Sequence, residues 1–178
     1  MLFAQLSARF RKYKHLSLWQ CMYYKRKIRS KTGLEYASRV LAKKDYSEKD
    51  LRKKITEHFG EEEADTTVAK LKEYGYLDDD RYREVYIASR VRSGYGSYRI
   101  SGDLYDKGLN DDLSDIDEIC EKSHINRHVI LKEFVARFLE RKNIEDPYEL
   151  RQKCTAHFYR KGHSIDEVKR IIDEELDR

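Results

Sequence analysis

From residue 35 onward the apolar positions recur with a helical period. Ala37, Val40 and Leu41 share one face at i, i+3, i+4 spacing, Leu51, Ile55 and Phe59 share another, and Val68 and Leu71 a third. The longest stripe is Leu131, Phe134, Val135, Phe138 and Leu139, which keeps helical spacing at every step. Stop and start signals separate these segments. Gly60, Gly75, Gly108 and Gly162 stand where helix C-caps are expected, and Asp146-Pro147-Tyr148-Glu149 reads as N-cap, proline at the first helical position and an acid at the third. The acidic runs Glu61-Glu62-Glu63 and Asp78-Asp79-Asp80 suit helix N-termini, where the dipole favours negative charge. Every segment fits a helix without a strand. With one proline and eight glycines the chain also lacks the frequent turns of a β-sandwich. The pattern predicts an all-α fold.

Aligning the helix starts reveals an internal repeat. Tyr46-Ser47, Tyr95-Gly96 and His163-Ser164 occupy equivalent places; five residues after the first member of each pair stand Leu51, Ile100 and Val168, and nine residues after it Ile55, Leu104 and Ile172. Ser47, Gly96 and Ser164 all cap helices well, and Asp50 and Glu167 add an acid at the third helical position. Three copies of one helical unit imply a short helical array with an extended surface rather than a deep pocket. The copies differ at one column: Leu41 and Phe158 align with Arg90 in the middle copy. Residues 81–110 also interleave Arg81, Arg83, Arg90, Arg92, Arg99 and Lys107 with Tyr82, Tyr86, Tyr95, Tyr98 and Tyr105. Arginine and tyrosine combine large contact area with hydrogen-bonding ends, which suits a polar contact surface. Residues 111–121 then hold six acids and no base, so Arg90 and Arg92 have either an outside partner or these acids.

Charge sharpens this picture. Charged residues make up 39% of the chain, yet Leu, Ile, Val and Phe reach 23%, enough for a folded protein with a thin core. The net charge of +4 is unevenly placed. Residues 1–34 carry Arg9, Arg11, Lys12, Lys14, Lys25, Arg26, Lys27, Arg29 and Lys31 with no acid, whereas the remaining 144 residues carry 28 basic and 33 acidic side chains. This basic extension suggests contact with a polyanion such as nucleic acid; a solvated tail, a start site at Met22 and a presequence-like leader are the other readings. Three cysteines, Cys21, Cys120 and Cys154, form no CxxC pair and fit a reducing compartment. Apolar runs of four residues are far too short for a membrane span, so a cytoplasmic protein is expected.

No motif for chemistry stands out. Gly94-Tyr95-Gly96 has no preceding strand, and Arg99 replaces the third glycine of a dinucleotide fingerprint. It reads instead as a turn between helices, with Gly94 at positive φ. Cys120, His124 and His128 would align as ligands only on one unbroken helix, and Ser123 signals a break there. Neither a nucleophile elbow nor a paired-carboxylate spacing is present. No catalytic residue, cofactor or metal is expected.

The stretch Tyr74-Gly75-Tyr76-Leu77-Asp78-Asp79-Asp80-Arg81-Tyr82, then Ser89-Arg90-Val91-Arg92-Ser93-Gly94-Tyr95-Gly96, Arg99-Ile100, Leu104 and Lys107-Gly108-Leu109, resembles the central signature of the RecX family, bacterial regulators of the RecA recombinase. Leu41-Ala42-Lys43-Lys44-Asp45-Tyr46-Ser47 with Leu51-Arg52-Lys53-Lys54-Ile55 is similar to the family's first repeat. Ala136-Arg137-Phe138-Leu139-Glu140-Arg141-Lys142 and Phe158-Tyr159-Arg160-Lys161-Gly162-His163-Ser164 are similar to its third, with His163 where an aromatic is customary. The resemblance implies an elongated, slightly curved tandem array of three three-helix repeats, over residues 35–80, 81–123 and 124–178, after the basic extension 1–34. It implies a non-enzymatic monomer that binds RecA and the RecA–single-stranded DNA filament and damps RecA's ATPase, recombinase and coprotease activities. Expected contacts to the filament are Arg90, Arg92, Tyr95 and Arg99, with Arg52, Lys53, Arg160 and Lys161. Weak direct binding to single-stranded DNA is expected of the extension. The alternative is a free-standing helical nucleic-acid-binding protein acting through that extension; the net negative charge of the remaining chain favours the filament reading.

Overall fold

The computed structural model describes residues 30–109, 113–142 and 144–176. Arg9, Arg11, Lys12, Lys14, Lys25, Arg26, Lys27 and Arg29 lie outside the described residues. Among the described residues there are nine helices and no strand: α1 Gly33–Leu41, α2 Glu48–Phe59, α3 Glu61–Glu73, α4 Asp79–Arg92, α5 Ser97–Asp106, α6 Leu113–Lys122, α7 Arg127–Arg141, α8 Pro147–Arg160 and α9 Ile165–Leu176. None is long and apolar enough to cross a membrane.

The helix boundaries follow the local signals. Ser47, Asp78, Asn126 and Asp146 accept backbone hydrogen bonds as N-caps of α2, α4, α7 and α8. Helix α4 ends in a Schellman motif: the Tyr95 amide donates to the Arg90 carbonyl (3.1 Å) and the Gly94 amide to Val91 (2.9 Å), with Gly94 at φ +76°. Helix α8 ends the same way through His163 to Phe158 and Gly162 to Tyr159. Helix α6 stops at Lys122, with His124 at φ +52°, so the break expected at Ser123 is present and Cys120, His124 and His128 do not share a helix.

Three hydrophobic cores form, each from three helices. Ala37, Leu51, Ile55, Val68 and Leu71 unite α1–α3; Ile87, Val91, Ile100, Leu104, Ile116 and Ile119 unite α4–α6; Leu131, Val135, Cys154, Phe158, Val168 and Ile172 unite α7–α9. Leu51, Ile100 and Val168 are fully buried, one in each core. The predicted stripes are only partly inward: Val40, Leu41, Phe59, Phe134, Phe138 and Leu139 are half-buried at the core margins. The last unit also differs in order. In the first two units the turn with the repeated Tyr joins the first and second helices, and the third helix follows. In the last unit the equivalent turn joins α8 to α9, and the third helix, α7, comes before them.

Polar contacts link the units. The Asp79 carboxylate, at the start of α4, accepts from the Glu48 amide at the start of α2 (2.8 Å), and Lys107 at the C-cap of α5 pairs with Asp50 on α2 (3.0 Å). The acid at the third position of α2 thus reaches the next unit. The middle and last units meet turn to turn: the Gly96 amide donates to the Lys161 carbonyl (2.9 Å) and the Tyr98 amide to Gly162 (3.2 Å). Carbonyls at the end of α8 therefore satisfy amides at the start of α5, joining opposite ends of two helix dipoles. His163 Nε2 donates to the Gly94 carbonyl (3.2 Å) and so carries its proton on Nε2.

Candidate interaction surface

The turn-to-turn junction positions most of the arginine–tyrosine surface. Helices α4 and α5 run back from the Gly94 turn, and their i, i+4 positions face each other. Tyr82, Tyr86 and Arg90 line α4; Arg99 and Asp103 line α5, with Lys107 at its C-cap. Arg90 pairs with Asp103 through a short contact, Arg99 Nε approaches Asp103 Oδ1 (2.9 Å), and the Tyr86 hydroxyl donates to Asp103 Oδ2 (3.0 Å). The Arg90 guanidinium also lies over the Tyr95 ring, 3.9 Å from its centroid, with Tyr86 5.5 Å away. Tyr82 stacks on Tyr86 (5.9 Å between centroids).

Three basic or phenolic groups thus converge on one carboxylate that is 15% exposed. Burial pushes the Asp103 carboxyl up, but Arg90, Tyr86 and Arg99 together bring it below its ordinary value. Arg90 occupies the column where Phe158 fills the last core. Both touch the residue that follows the turn glycine: Phe158 meets His163 edge-on (5.9 Å), and Arg90 meets Tyr95. The cation replaces the apolar contact of a Schellman motif. Among the described residues the ion-pair partner of Arg90 is Asp103. Among the described residues of 111–121, Asp117 pairs with Arg127 and Glu118 with Lys122.

The other predicted residues separate into two groups. Lys161 joins the surface, with its ammonium 5.7 Å from the Tyr95 centroid and 5.1 Å from Phe134. Arg92 and Arg160 are exposed, each two residues before a junction glycine, and neither makes an ion pair among the described residues. Arg52 and Lys53 lie on α2 in the first unit, away from the junction. Arg52 pairs with Glu48 (2.9 Å) and Asp65, while Lys72 also holds Glu48 (2.8 Å). Lys53 is exposed and unpaired among the described residues.

Two participants are missing from the sequence reading of the site. Phe134 packs against Gly94, where an added Cβ would lie 2.9 Å from its ring, and Arg137 covers the Phe134 ring (4.6 Å). Their i, i+3 spacing on α7 is visible, but Phe134 reads there as core. Asp103 is the other; its i, i+4 spacing from Arg99 is the signal that could have found it.

The junction surface presents guanidinium, ammonium and phenol groups around one carboxylate. Its carboxylate is committed to arginines, and the thiols of Cys120 and Cys154 are buried, Cys154 being pushed up to about 12 by burial. Among the described residues no cluster of His, Cys, Asp or Glu could hold a metal ion.

Comparison with known proteins places the chain. It is 29% identical to the regulatory protein RecX of Haemophilus influenzae strain PittEE over 147 residues, covering 82% of this chain and 95% of that protein. It is 36% identical to the regulatory protein RecX of Pectobacterium atrosepticum over 121 residues, covering 58% of this chain and 74% of the relative. The crystal structure of RecX from Lactobacillus salivarius shares the fold, with a TM-score of 0.63 at 19% identity over 82% of this chain and 96% of that one. No protein-family model matches.

Proposed function

This chain belongs to the RecX family of regulatory proteins, and we propose that it is a non-enzymatic regulator that binds the RecA–single-stranded DNA filament. In this reading it damps the filament's ATPase, recombinase and coprotease activities and so limits its part in repair and in the damage response. The observation that carries the reading is the junction surface. Two exposed arginines that make no ion pair among the described residues, Arg92 and Arg160, flank a frame of Tyr95, Arg99 and Lys161. Guanidinium groups held this way suit phosphates or acidic side chains, which a protein–DNA filament presents together.

The test is RecA's single-stranded-DNA-dependent ATPase titrated with the wild-type chain and with Arg92→Ala/Arg160→Ala. Neither side chain packs in a core, so the circular dichroism melt should hold while most inhibition is lost. Full inhibition by the folded double variant excludes this surface. Pull-downs with RecA filaments, RecA alone and bare single-stranded DNA separate this reading from a free-standing nucleic-acid binder. Retention on bare DNA alone, with a salt slope reduced by about 0.7 per phosphate contact when residues 1–29 are removed, favours the latter.

A further inference from the structure

The pairs α4–α5 and α8–α9 are two copies of one helix–turn–helix, in the register that aligns His163 with Tyr95. That register places Thr155 on Ile87, Ala156 on Ala88, Tyr159 on Val91 and Ile172 on Leu104. In the middle unit Ile87, Val91 and Leu104 are buried with Ile116, Ile119 and Cys120 of α6, so α6 occupies a seat on this face. In the last unit α7 packs with Cys154 and Phe158, on the neighbouring stripe of α8. Among the described residues no helix occupies the seat equivalent to that of α6. It is an open groove of about 630 Å³ whose lining includes Thr155, Ala156, Tyr159, Ile165, Lys169 and Ile172. Tyr159 is 60% exposed there and Ile165 41%, so the groove presents apolar side chains to solvent.

We propose that this groove seats an amphipathic helix of a partner protein, apolar on its inner face and acidic on its flank, as α6 is seated on the middle unit. The inner face of α6 is Ile116, Ile119 and Cys120, and its flank carries Asp115, Asp117, Glu118 and Glu121. The wall it meets includes Arg83: Lys122 first, and Arg83 beyond it, hold the Glu118 carboxyl below its usual range. The counterpart of Arg83 in the groove is Arg151, joined there by Lys169, which makes no ion pair among the described residues. Arg151 pairs with Asp173, but both are substantially exposed, and such a pair exchanges easily for an incoming acid. Charge disfavours the chain's own extension as occupant, because residues 1–34 contain no acid to meet Arg151 and Lys169. The α6 of a second copy is committed to its own core. This inference does not depend on the filament reading.

The probe is a lactam-stapled peptide with the sequence of residues 111–124, titrated into the isotope-labelled full chain while amide chemical shifts are followed. Saturable shifts are expected at Thr155, Ala156, Tyr159 and Lys169. Arg151→Glu/Lys169→Glu should weaken binding at least about tenfold by placing like charges together. Ala156→Trp, which fills the groove from an exposed position, should abolish it, and thermal melts check that both variants are folded. Silence of the groove amides up to about 1 mM peptide overturns the proposal. So do shifts confined to α4 and α5, or equal affinity in the charge-reversed variant. Tighter binding by a peptide of residues 1–29 overturns the acidic occupant, and concentration-dependent groove shifts without peptide assign the groove to a second copy.

Discussion

Adding a single methyl group at the junction of the middle and last units is expected to destabilise the protein at Gly96 and to stabilise it six residues later at Gly102. Gly96 has φ −86° and ψ 164°, a conformation any residue adopts, so Gly96→Ala carries no backbone strain. Its Cβ, however, would lie 2.1 Å from the Gly162 carbonyl oxygen and 2.5 Å from the His163 amide nitrogen. Both are backbone atoms, which cannot rotate away as a side chain can. Relief requires the two turns to part, and with them go the hydrogen bonds from Gly96 to Lys161 and from Tyr98 to Gly162. Two lost bonds, each leaving a desolvated donor, amount to about 2–5 kcal/mol. Gly162→Ala meets the same obstacle, with Arg99 nitrogen 2.3 Å from its Cβ, and adds about 1–2 kcal/mol for a φ of +89°. Gly102 lies inside α5 with nothing within 4 Å of an added Cβ, so Gly102→Ala should gain about 0.5–1 kcal/mol from helix propensity alone. Urea unfolding followed by circular dichroism ranks the three, with the slope reporting whether the units still unfold together. A Gly96→Ala midpoint equal to wild type would refute the turn-to-turn contact.

Replacing Leu51, Ile100 or Val168 by Asp should cost more than about 3 kcal/mol in urea unfolding, because each is fully buried and the new carboxylate has no partner; unchanged unfolding in all three would remove the repeat alignment. Arg90→Ala should destabilise by about 1–3 kcal/mol, since Asp103 loses a partner in a half-buried place, and a double-mutant cycle with Asp103→Asn should recover a coupling of at least about 0.5 kcal/mol. A zero coupling would leave Arg90 free for an outside partner. Acid should weaken the junction before it titrates carboxylates. Burial, outweighing the Gly94 hydrogen bond, holds His163 below its ordinary pKa near 6.5, so the unfolded chain takes up a proton that the folded chain refuses. Stability is then full above about pH 6.5 and falls as pH drops through the window beneath it; His163→Gln should flatten that slope in midpoints measured from pH 7 to 5. His58 and His157, lowered chiefly by burial, act in the same direction and leave a residual slope.

What the sequence determined by itself is local. Helix period, N-caps and turn glycines depend on residues within a few positions of one another, so the ends of α2, α4 and α8 and the breaks at Gly94, Ser123 and Gly162 follow directly from composition at those sites. The burial of Leu51, Ile100 and Val168 was legible for the same reason: each follows Tyr46, Tyr95 or His163 by five residues. What only the tertiary structure decided is which surface meets which. Arg90 reads as a cation for an outside partner or for the acids of 111–121 until α5 brings Asp103 across to it, while Ile116 and Ile119 of α6 pack on the Ile87–Val91 face of α4. Phe134 belongs to a perfect apolar stripe, yet the approach of the Gly94 turn draws it to the junction margin. The third helix of the last unit precedes its pair, so no described helix takes the seat that α6 fills in the middle unit. Periodicity states which face of a helix is apolar; the crossing of helices, chosen by the summed packing of all three in a unit, states what covers it.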